Sequence, residues 1–574
     1  MVNLLNLQKE YLKGKNKIQN RIINDTIYNH IQYTKLEDKL LQTKIVNRLQ
    51  FITQNALAYF SYPSITTRRF IHSLGCMHLS SFIFKNSLLN ADKQTKNEFL
   101  KSLKKVIKGV IKDNNLNIKI DDLSYFDNKA LYQFTIPTKN KKDRVVYTII
   151  LQTIRIVGLL HDVGHLPFSH QIENSLKNVY DSLKTEKQLN QKQLQFKQFY
   201  EKITQNGRLV LHEAIGKNLL LLLLDYEIFD FITLREEKDY IKLIKILSTY
   251  ILEEKVYQNF DFKVLHRIVD STVDSDRLDY INRDMLASGY ITGPSDFIRI
   301  TKEAVLIKDK NDFYVSFFDM GLIDIEHMLE MRFNLYKKII FNHGIAKTDA
   351  LLENVVQYLC NKYFQDKQTE NKLSNSISML WEFFYKKDNE SKLDIISMLD
   401  ENWLISFLKH EYFIIKNKKD LSQEDLKYKY CFEEVLFGKR FFRSPWKNLN
   451  EFYNVLDFTT VQRYQFRESF GYINKNKYKQ LRDFLENFIQ KYESKEKNLF
   501  FTYQIVSFNI GIEKDFRLYD GKNIIPMDEI STVRKRLKQS MSNTVPFYIY
   551  SNIKQMSSQM KEDLKNILFE VFND

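Results

Sequence analysis

The stretch Leu160-His161-Asp162-Val163-Gly164-His165-Leu166-Pro167-Phe168-Ser169-His170 gathers three of the chain's eleven histidines and one carboxylate among apolar residues. His161 and Asp162 are adjacent ligand types, an imidazole and a carboxylate, and each needs partners from elsewhere to complete a metal sphere. His165 follows His161 at helical spacing, which predicts both rings on one face if the stretch is a helix. Gly164 leaves room for close approach at the centre of that face. Further candidates lie outside this stretch. Arg68-Arg69-Phe70-Ile71-His72 sets an imidazole one turn past an arginine, and Leu211-His212-Glu213 sets another near a helix start. In Asp276-Arg277-Leu278-Asp279-Tyr280-Ile281-Asn282-Arg283-Asp284, the residues Asp276, Tyr280 and Asp284 recur at helical spacing with Arg277 beside them. Singly, each has a bland reading. His72 can be a core histidine, and the Asp276 stripe can be the solvated face of a helix whose other side is Val273, Leu278 and Ile281.

These groups must be carried by helices. Glycine (15) and proline (7) are scarce in 574 residues, and 44% of residues are hydrophobic, which favours long helices around sizeable cores over a turn-rich β fold. Apolar residues at helical spacing predict helix from Leu36 to Phe60, ended by Pro63, and a new helix from Arg68. Residues 92–145 read as charged and irregular, with strand-like patches around Ile118 and Tyr132-Phe134-Ile136. Ile149 to His161 reads as an apolar helix feeding the histidine string. The Lys/Gln-rich segment 174–207 reads as a solvated helical hairpin inserted at the surface, with a lid or an oligomer contact as its other reading. Helices are expected over 209–300 and from Ile325 to about Tyr492. Leu499 to Ile510 alternates like a strand, Phe516 to Ile525 reads as a hairpin turning on Asp-Gly, Phe547 to Tyr550 as a strand, and Ser557 to Phe572 as a helix. The fold class expected is mainly α: a helical core over 21–305 behind a flexible 1–20, a helical extension over 306–495 completing the site, and a small α/β C-terminal lobe over 496–574.

Lys plus Arg (86) exceed Asp plus Glu (71), a formal charge of +15 that suits polyanionic partners, nucleotides or nucleic acid. Cys76, Cys360 and Cys431 are far apart without CxxC spacing, arguing against a disulfide framework or a zinc cysteine cluster and for a reducing cytoplasm. The N-terminus lacks a signal-peptide layout, and no apolar run is long enough to span a bilayer.

Together the motifs RRFIHSLG, LLHDVGHLPFSHQIE, LHEAIG and DSDRLDYINRD resemble, in content and order, the HD-domain phosphohydrolases, and among them the deoxynucleoside triphosphate triphosphohydrolases. The resemblance runs from about Arg21 to Lys347. It implies a divalent metal (Mn, Fe, Mg or Zn) held by His72, His161, Asp162 and Asp276, with additional Mg accompanying the triphosphate. It implies His212 as the acid at the leaving oxygen, with Glu173 and His170 beside it as catalytic partners. Arg69, His165, Arg277 and Arg332 would hold the triphosphate, as would His170. Gln54, Tyr280 and Asp284 would line the sugar, and Asn55 and Tyr336 fall among the substrate-binding positions. The reaction implied is hydrolysis of a nucleoside triphosphate to nucleoside and inorganic triphosphate. A nucleotide activator, a homodimer or homotetramer and, by analogy, a use in starving a phage of nucleotides go with it. Asn55 stands where the family often has leucine, and Ile340 where a tyrosine usually stacks beneath the deoxyribose, so strict exclusion of a 2′-hydroxyl is not implied. The other readings are an HD phosphodiesterase or nuclease, and a nucleotide-sensing or nucleic-acid-binding regulator.

Overall fold

The computed structural model describes residues 21–120, 129–228, 235–290, 297–366, 376–469, 475–506 and 508–572; the expected flexible stretch 1–20 lies outside them. The fold is mainly α, with small sheets. A short antiparallel hairpin, β1 (Ile22–Asp25) and β2 (Asn29–Gln32), comes first. Asp25 closes it by accepting from the backbone N–H of Ile27 and Tyr28 at 2.7 and 2.9 Å.

The expected helix from Leu36 to Phe60 is broken. α1 (Lys35–Leu41) starts at a capping box of Thr34 and Glu37, and α2 (Lys44–Arg48) starts behind Thr43, whose hydroxyl accepts from the Val46 N–H. Threonine serves a helix better as a cap than as an interior residue, so Thr43 restarts the helix where the apolar spacing alone would continue it. Single 3-10 turns at Leu49–Phe51 and Ala58–Phe60 follow.

α3 (Arg69–Asn90) is the central helix, and its buried face includes His72, Ser73, Cys76, Ser80 and Ser81. Residues 92–145 differ from expectation. They hold α4 (Lys93–Asp113), a 3-10 turn at Lys129–Phe134 and the start of α5 (Lys141–Leu160), with no strand among the described residues. The lysines of α4 mask an apolar face, Phe99, Leu103, Val106, Ile107 and Val110, that packs into the core at helical spacing.

After the histidine string come α6 (His170–Leu183), α7 (Gln191–Thr204), α8 (Leu211–Leu222), α9 (Arg235–Leu252) and α10 (Ser275–Ala287). α6 and α7 form the expected helical hairpin, but it is not simply solvated. Phe196 and Phe199 are fully buried, and Phe196 meets Trp381 edge-on at 4.9 Å. α3 is packed against α5 on one side and α10 on another, so three long helices share one core around the polar groups they carry.

A hairpin of β3 (Ala304–Asp309) and β4 (Asp312–Phe318), not read from the sequence, precedes α11 (Leu322–Leu335). A π-helical turn at Tyr336–Ile340 and the long α12 (His343–Gln365) follow. β5 (Phe501–Ile505) is shorter than the alternation predicts and pairs with β8 (Phe547–Ser551). β6 (Arg517–Tyr519) and β7 (Ile524–Pro526) flank the Asp-Gly turn as expected. β6 also pairs in parallel with β4, so the C-terminal hairpin completes a four-stranded sheet in the order β3-β4-β6-β7. α13 (Ser558–Phe572) closes the chain. No helix among the described residues is long and apolar enough to cross a membrane.

Candidate active site

Helix ends deliver four ligand-type side chains to one point. His72 lies in the first turn of α3, Asp276 in the first turn of α10, and His161 and Asp162 at the C-terminal end of α5. His72 Nε2 is 2.9 Å from Asp276 Oδ1 and 3.5 Å from Asp162 Oδ2. His161 Nε2 is 3.4 Å from Asp162 Oδ1 and 3.5 Å from Asp276 Oδ1. The Asp276 stripe therefore faces inward; Asp279 and Asp284 on the same helix are almost fully buried.

These residues fit a divalent cation. His161 Nε2 is buried with no hydrogen-bond partner, a costly state for a ring nitrogen aimed among carboxylates unless a ligand takes its lone pair. The other nitrogen of each ring is already committed. His161 Nδ1 lies 2.8 Å from the Gly158 carbonyl, and His72 Nδ1 lies 2.8 Å from Asp279 Oδ2. With Nδ1–H donating in each case, both Nε2 lone pairs point to the shared centre. Two imidazoles and two carboxylates are a mixed N/O set suited to Mn, Fe, Mg or Zn.

Two residues near this point were not read from the sequence. Cys76, one turn after His72, places its sulfur 3.6 Å from both His72 nitrogens, close enough to belong to the same potential ligand group. Asp279 holds His72 and is itself held by Tyr28 Oη at 2.9 Å and by Arg283 Nη2 at 2.8 Å, while Arg283 Nη1 reaches Asp25 at 3.0 Å. The helical spacing that draws attention to Asp276, Tyr280 and Asp284 passes over Asp279, one turn from Asp276 on the neighbouring face.

Burial alone would depress both imidazoles. For His72 the Cys76 sulfur, Asp276 and Asp279 outweigh it, and for His161 Asp162, Cys76 and Asp276 do, so both rings are held well above the ordinary histidine value. Burial would likewise raise Asp162, but Arg69, His161 and His165 hold it well below the usual carboxylate range.

The expectation that His161 and His165 share a helical face is not met. His161 caps α5, and the chain then turns through Gly164 to Ser169, with Phe168 and Ser169 at φ of 55° and 53°. These are uncommon angles for non-glycine residues and store strain beside the site. Consequently His161 enters the metal-ligand group while His165 turns to a second group. His165 stacks on His212 with ring centroids 3.9 Å apart and planes 14° apart, and its Nδ1 lies 3.2 Å from Glu173 Oε1. His212 Nδ1 meets Glu173 Oε2 at 2.9 Å, and the exposed His170 lies edge-on to both rings. Asp162 Oδ1, 3.3 Å from His165 Nε2, ties this dyad to the ligand group. Gly164 is the hinge of the arrangement. A Cβ there would lie 2.0 Å from the His212 carbonyl and 2.3 Å from the Gly216 nitrogen. Gly164→Ala is accordingly expected to force α5 and α8 apart and to cost about 1–3 kcal/mol, the usual penalty of overpacking, read as a lower denaturant midpoint.

Burial would lower His212, but Glu173 overrides it and raises the imidazole above its ordinary value; Glu173 is correspondingly held well below the usual range despite its own burial. His165 goes the other way, pushed down to about 3 by burial, Arg69 and His212. A neutral His165 would meet a triphosphate as a hydrogen-bonding group and not as a cation.

Arg69 is also engaged internally, with Nη1 on Asp162 and Nε on Ser169 Oγ at 2.8 Å. Arg332 Nε donates to Tyr280 Oη at 2.7 Å, and its guanidinium lies 4.9 Å from the Tyr336 ring centroid. Gln54 and Asn55 occupy the loop between the 3-10 turns. That loop is anchored where Glu401 accepts from the Thr53 N–H at 2.6 Å and pairs with Arg68 at 3.2 Å. Gln54 Oε1, Asn55 Nδ2 and Asp284 Oδ1 are buried polar atoms without a hydrogen-bond partner among the described residues. Burial pushes Asp284 up to about 6.

In sequence the chain is similar to a protein named for an HD domain and to proteins named deoxynucleoside triphosphate triphosphohydrolases. The SAMHD1 homolog of Dictyostelium discoideum, which carries that name, is 21% identical over 371 residues, 64% of this chain and 54% of that protein. Homo sapiens SAMHD1, likewise named, is 22% identical over 397 residues, 65% of this chain and 52% of that protein. A protein of Acanthamoeba polyphaga mimivirus named for an HD domain is 21% identical over 387 residues, 67% of this chain and 66% of that protein. The chain thus spans about half to two thirds of the length of the curated relatives it matches. Among solved structures, a phosphohydrolase from Bacteroides thetaiotaomicron superposes with a TM-score of 0.54 at 17% identity, covering 92% of this chain and 98% of that one. No family model matches.

Proposed function

We propose that the protein is a metal-dependent hydrolase that cleaves (deoxy)nucleoside triphosphates to nucleoside and inorganic triphosphate. The observation that carries this reading is the convergence of His72, His161, Asp162 and Asp276 with the His212–Glu173 pair set against it through His165. A divalent ion at such a site polarises a phosphoryl oxygen and makes a nucleophile available at neutral pH. Water adds to the α-phosphorus, the bond to the 5′-oxygen breaks, and protonated His212 supplies the proton that the leaving oxygen needs. Glu173 holds Nδ1 of that ring, leaving Nε2 for the transfer. Arg277 and Arg332 are the cations for the triphosphate, and Gln54, Asn55, Tyr280 and Asp284 offer polar groups to the sugar.

The test is a panel of dNTPs and NTPs with Mn or Mg, assayed for inorganic triphosphate and nucleoside. Cleavage of oligonucleotides alone, with no triphosphate from any nucleotide, would replace this reading with a phosphodiesterase or nuclease. Asp279 acts on the same site through His72, as a positioning residue. Asp279→Asn is expected to weaken metal affinity ~10–100-fold, the usual loss when an outer carboxylate behind a ligating histidine is removed. Titration of the purified protein with Mn, followed by metal-sensitive spectroscopy, measures it. Unchanged affinity would leave Asp279 only a fold-stabilising role.

A further inference from the structure

The segment from Phe508 to Asp515, between β5 and β6, lies across the two arginines assigned to the triphosphate. Arg332 Nη1 donates to the carbonyls of Asn509 and Ile510 at 2.8 and 2.9 Å. Arg277 Nη1 donates to the carbonyl of Gly511 and, at 3.3 Å, to that of Thr272. Three successive carbonyl oxygens thus face two guanidinium groups. Phe508 packs beneath, its ring 4.7 Å from Tyr336 and 5.0 Å from the Arg332 guanidinium carbon. Gly511 lets the backbone come this close. Its φ is +69°, and a Cβ there would lie 3.1–3.2 Å from nitrogens of both arginines. Beyond Gly511 the strap is tied down away from the site. Arg534 donates to the carbonyls of Ile512 and Glu513 at 2.6 and 2.7 Å, the Glu513 N–H donates to Thr272 Oγ1 at 2.9 Å, and Arg267 pairs with Asp515 at 2.8 Å.

We propose that this segment is a built-in stand-in for the triphosphate, a strap that must release Arg277 and Arg332 before a polyphosphate can bind. The proposal rests on the triphosphate reading given above. It follows from acceptor strength. A neutral carbonyl satisfies a guanidinium, but a phosphate oxygen makes a charge-assisted bond about twice as strong. Without ligand the tethered carbonyls hold the arginines in place of water; with ligand the exchange favours the anion. Opening lowers the apparent affinity by the fraction of molecules in which the strap is already off.

Hydrogen exchange on the full chain, with and without inorganic triphosphate, tests this. Saturating triphosphate is expected to speed exchange of the amides in 509–513 about tenfold, although ligands ordinarily slow exchange where they bind. Phe508→Ala removes the strap's anchor on Tyr336 and is expected to tighten triphosphate binding about tenfold, as it would if the strap were open in about a tenth of wild-type molecules. Arg534→Gln loosens the strap from its far end and should act in the same direction, guarding against a local defect of the first variant. Triphosphate binding that slows or leaves unchanged the exchange of 509–513 would overturn the strap and make the segment a fixed wall, with the nucleotide reading intact. Failure of wild type and both variants to bind triphosphate would also overturn it. The nucleotide reading falls separately, only if the nucleotide panel gives no triphosphate.

Discussion

Asp276→Ala is expected to leave the purified protein without its divalent ion and to lower nucleotide hydrolysis roughly a thousandfold or more. The magnitude follows from what the ion contributes, several kcal/mol of charge stabilisation, at about 1.4 kcal/mol per tenfold in rate. The choice of Asp276 follows from geometry. Both imidazoles reach it, at 2.9 and 3.5 Å, as they also reach Asp162, but Asp276 arrives on a different helix from either ring whereas Asp162 adjoins His161 in the chain. Removing it opens the site without deleting a core side chain, since Asp276 is half-buried and the α10 cap is made by Asp274. His161→Ala is expected to act alike. A pH arm sharpens the test. His72 and His161 are both held above the ordinary imidazole value when no ion is present, so an incoming ion must displace their protons. Affinity is therefore expected to fall as pH falls and to recover as pH rises through those raised values. Metal analysis of the variant beside wild type decides the matter. Retention of stoichiometric metal by Asp276→Ala would remove Asp276 from the ligand set.

The contrast between Asp276 and Asp279 shows what was legible in the sequence. Asp276 falls in a run of side chains at helical spacing, and such a run can be read locally. Asp279 matters because Tyr28 and His72, remote in sequence, come to it from β1–β2 and α3, and no local pattern carries that information. The same division explains the histidine string. Its composition marks a site, but whether His165 faces His161 or His212 depends on the turn through Gly164 and the strained Phe168–Ser169 pair, which helical spacing does not anticipate. Cysteine-to-cysteine spacing carries no sign of Cys76, whose neighbour in the fold is a histidine one turn away. In α4, lysines on the solvent side obscure a continuous apolar face. The strand expected over Leu499–Ile510 is half correct for a related reason. Only Phe501–Ile505 finds a partner strand, and Asn509 to Gly511 are held across the site by Arg332 and Arg277.

His212→Gln is expected to lower turnover ~10²–10⁴-fold, the usual contribution of a positioned general acid, while leaving metal content at the wild-type level. The retained metal separates this loss from that of Asp276→Ala. The pH profile identifies the proton. Glu173, at 2.9 Å from Nδ1, raises His212 above the ordinary imidazole value, which favours the protonated, acid form of the ring. An acid must be protonated to act. Activity that depends on it is therefore full below the raised value and is lost as pH rises through it. Glu173→Gln keeps a hydrogen-bonding group at the same place but removes the charge, so the value for His212 falls and the alkaline loss of activity moves to lower pH. His165 does not confuse the assignment, because it is already neutral well below this range. His170, exposed and in ring contact with His212, is the other candidate donor. If turnover in Glu173→Gln keeps the wild-type alkaline limb, while His170→Gln abolishes it, the proton belongs to His170 and His212 serves to position it.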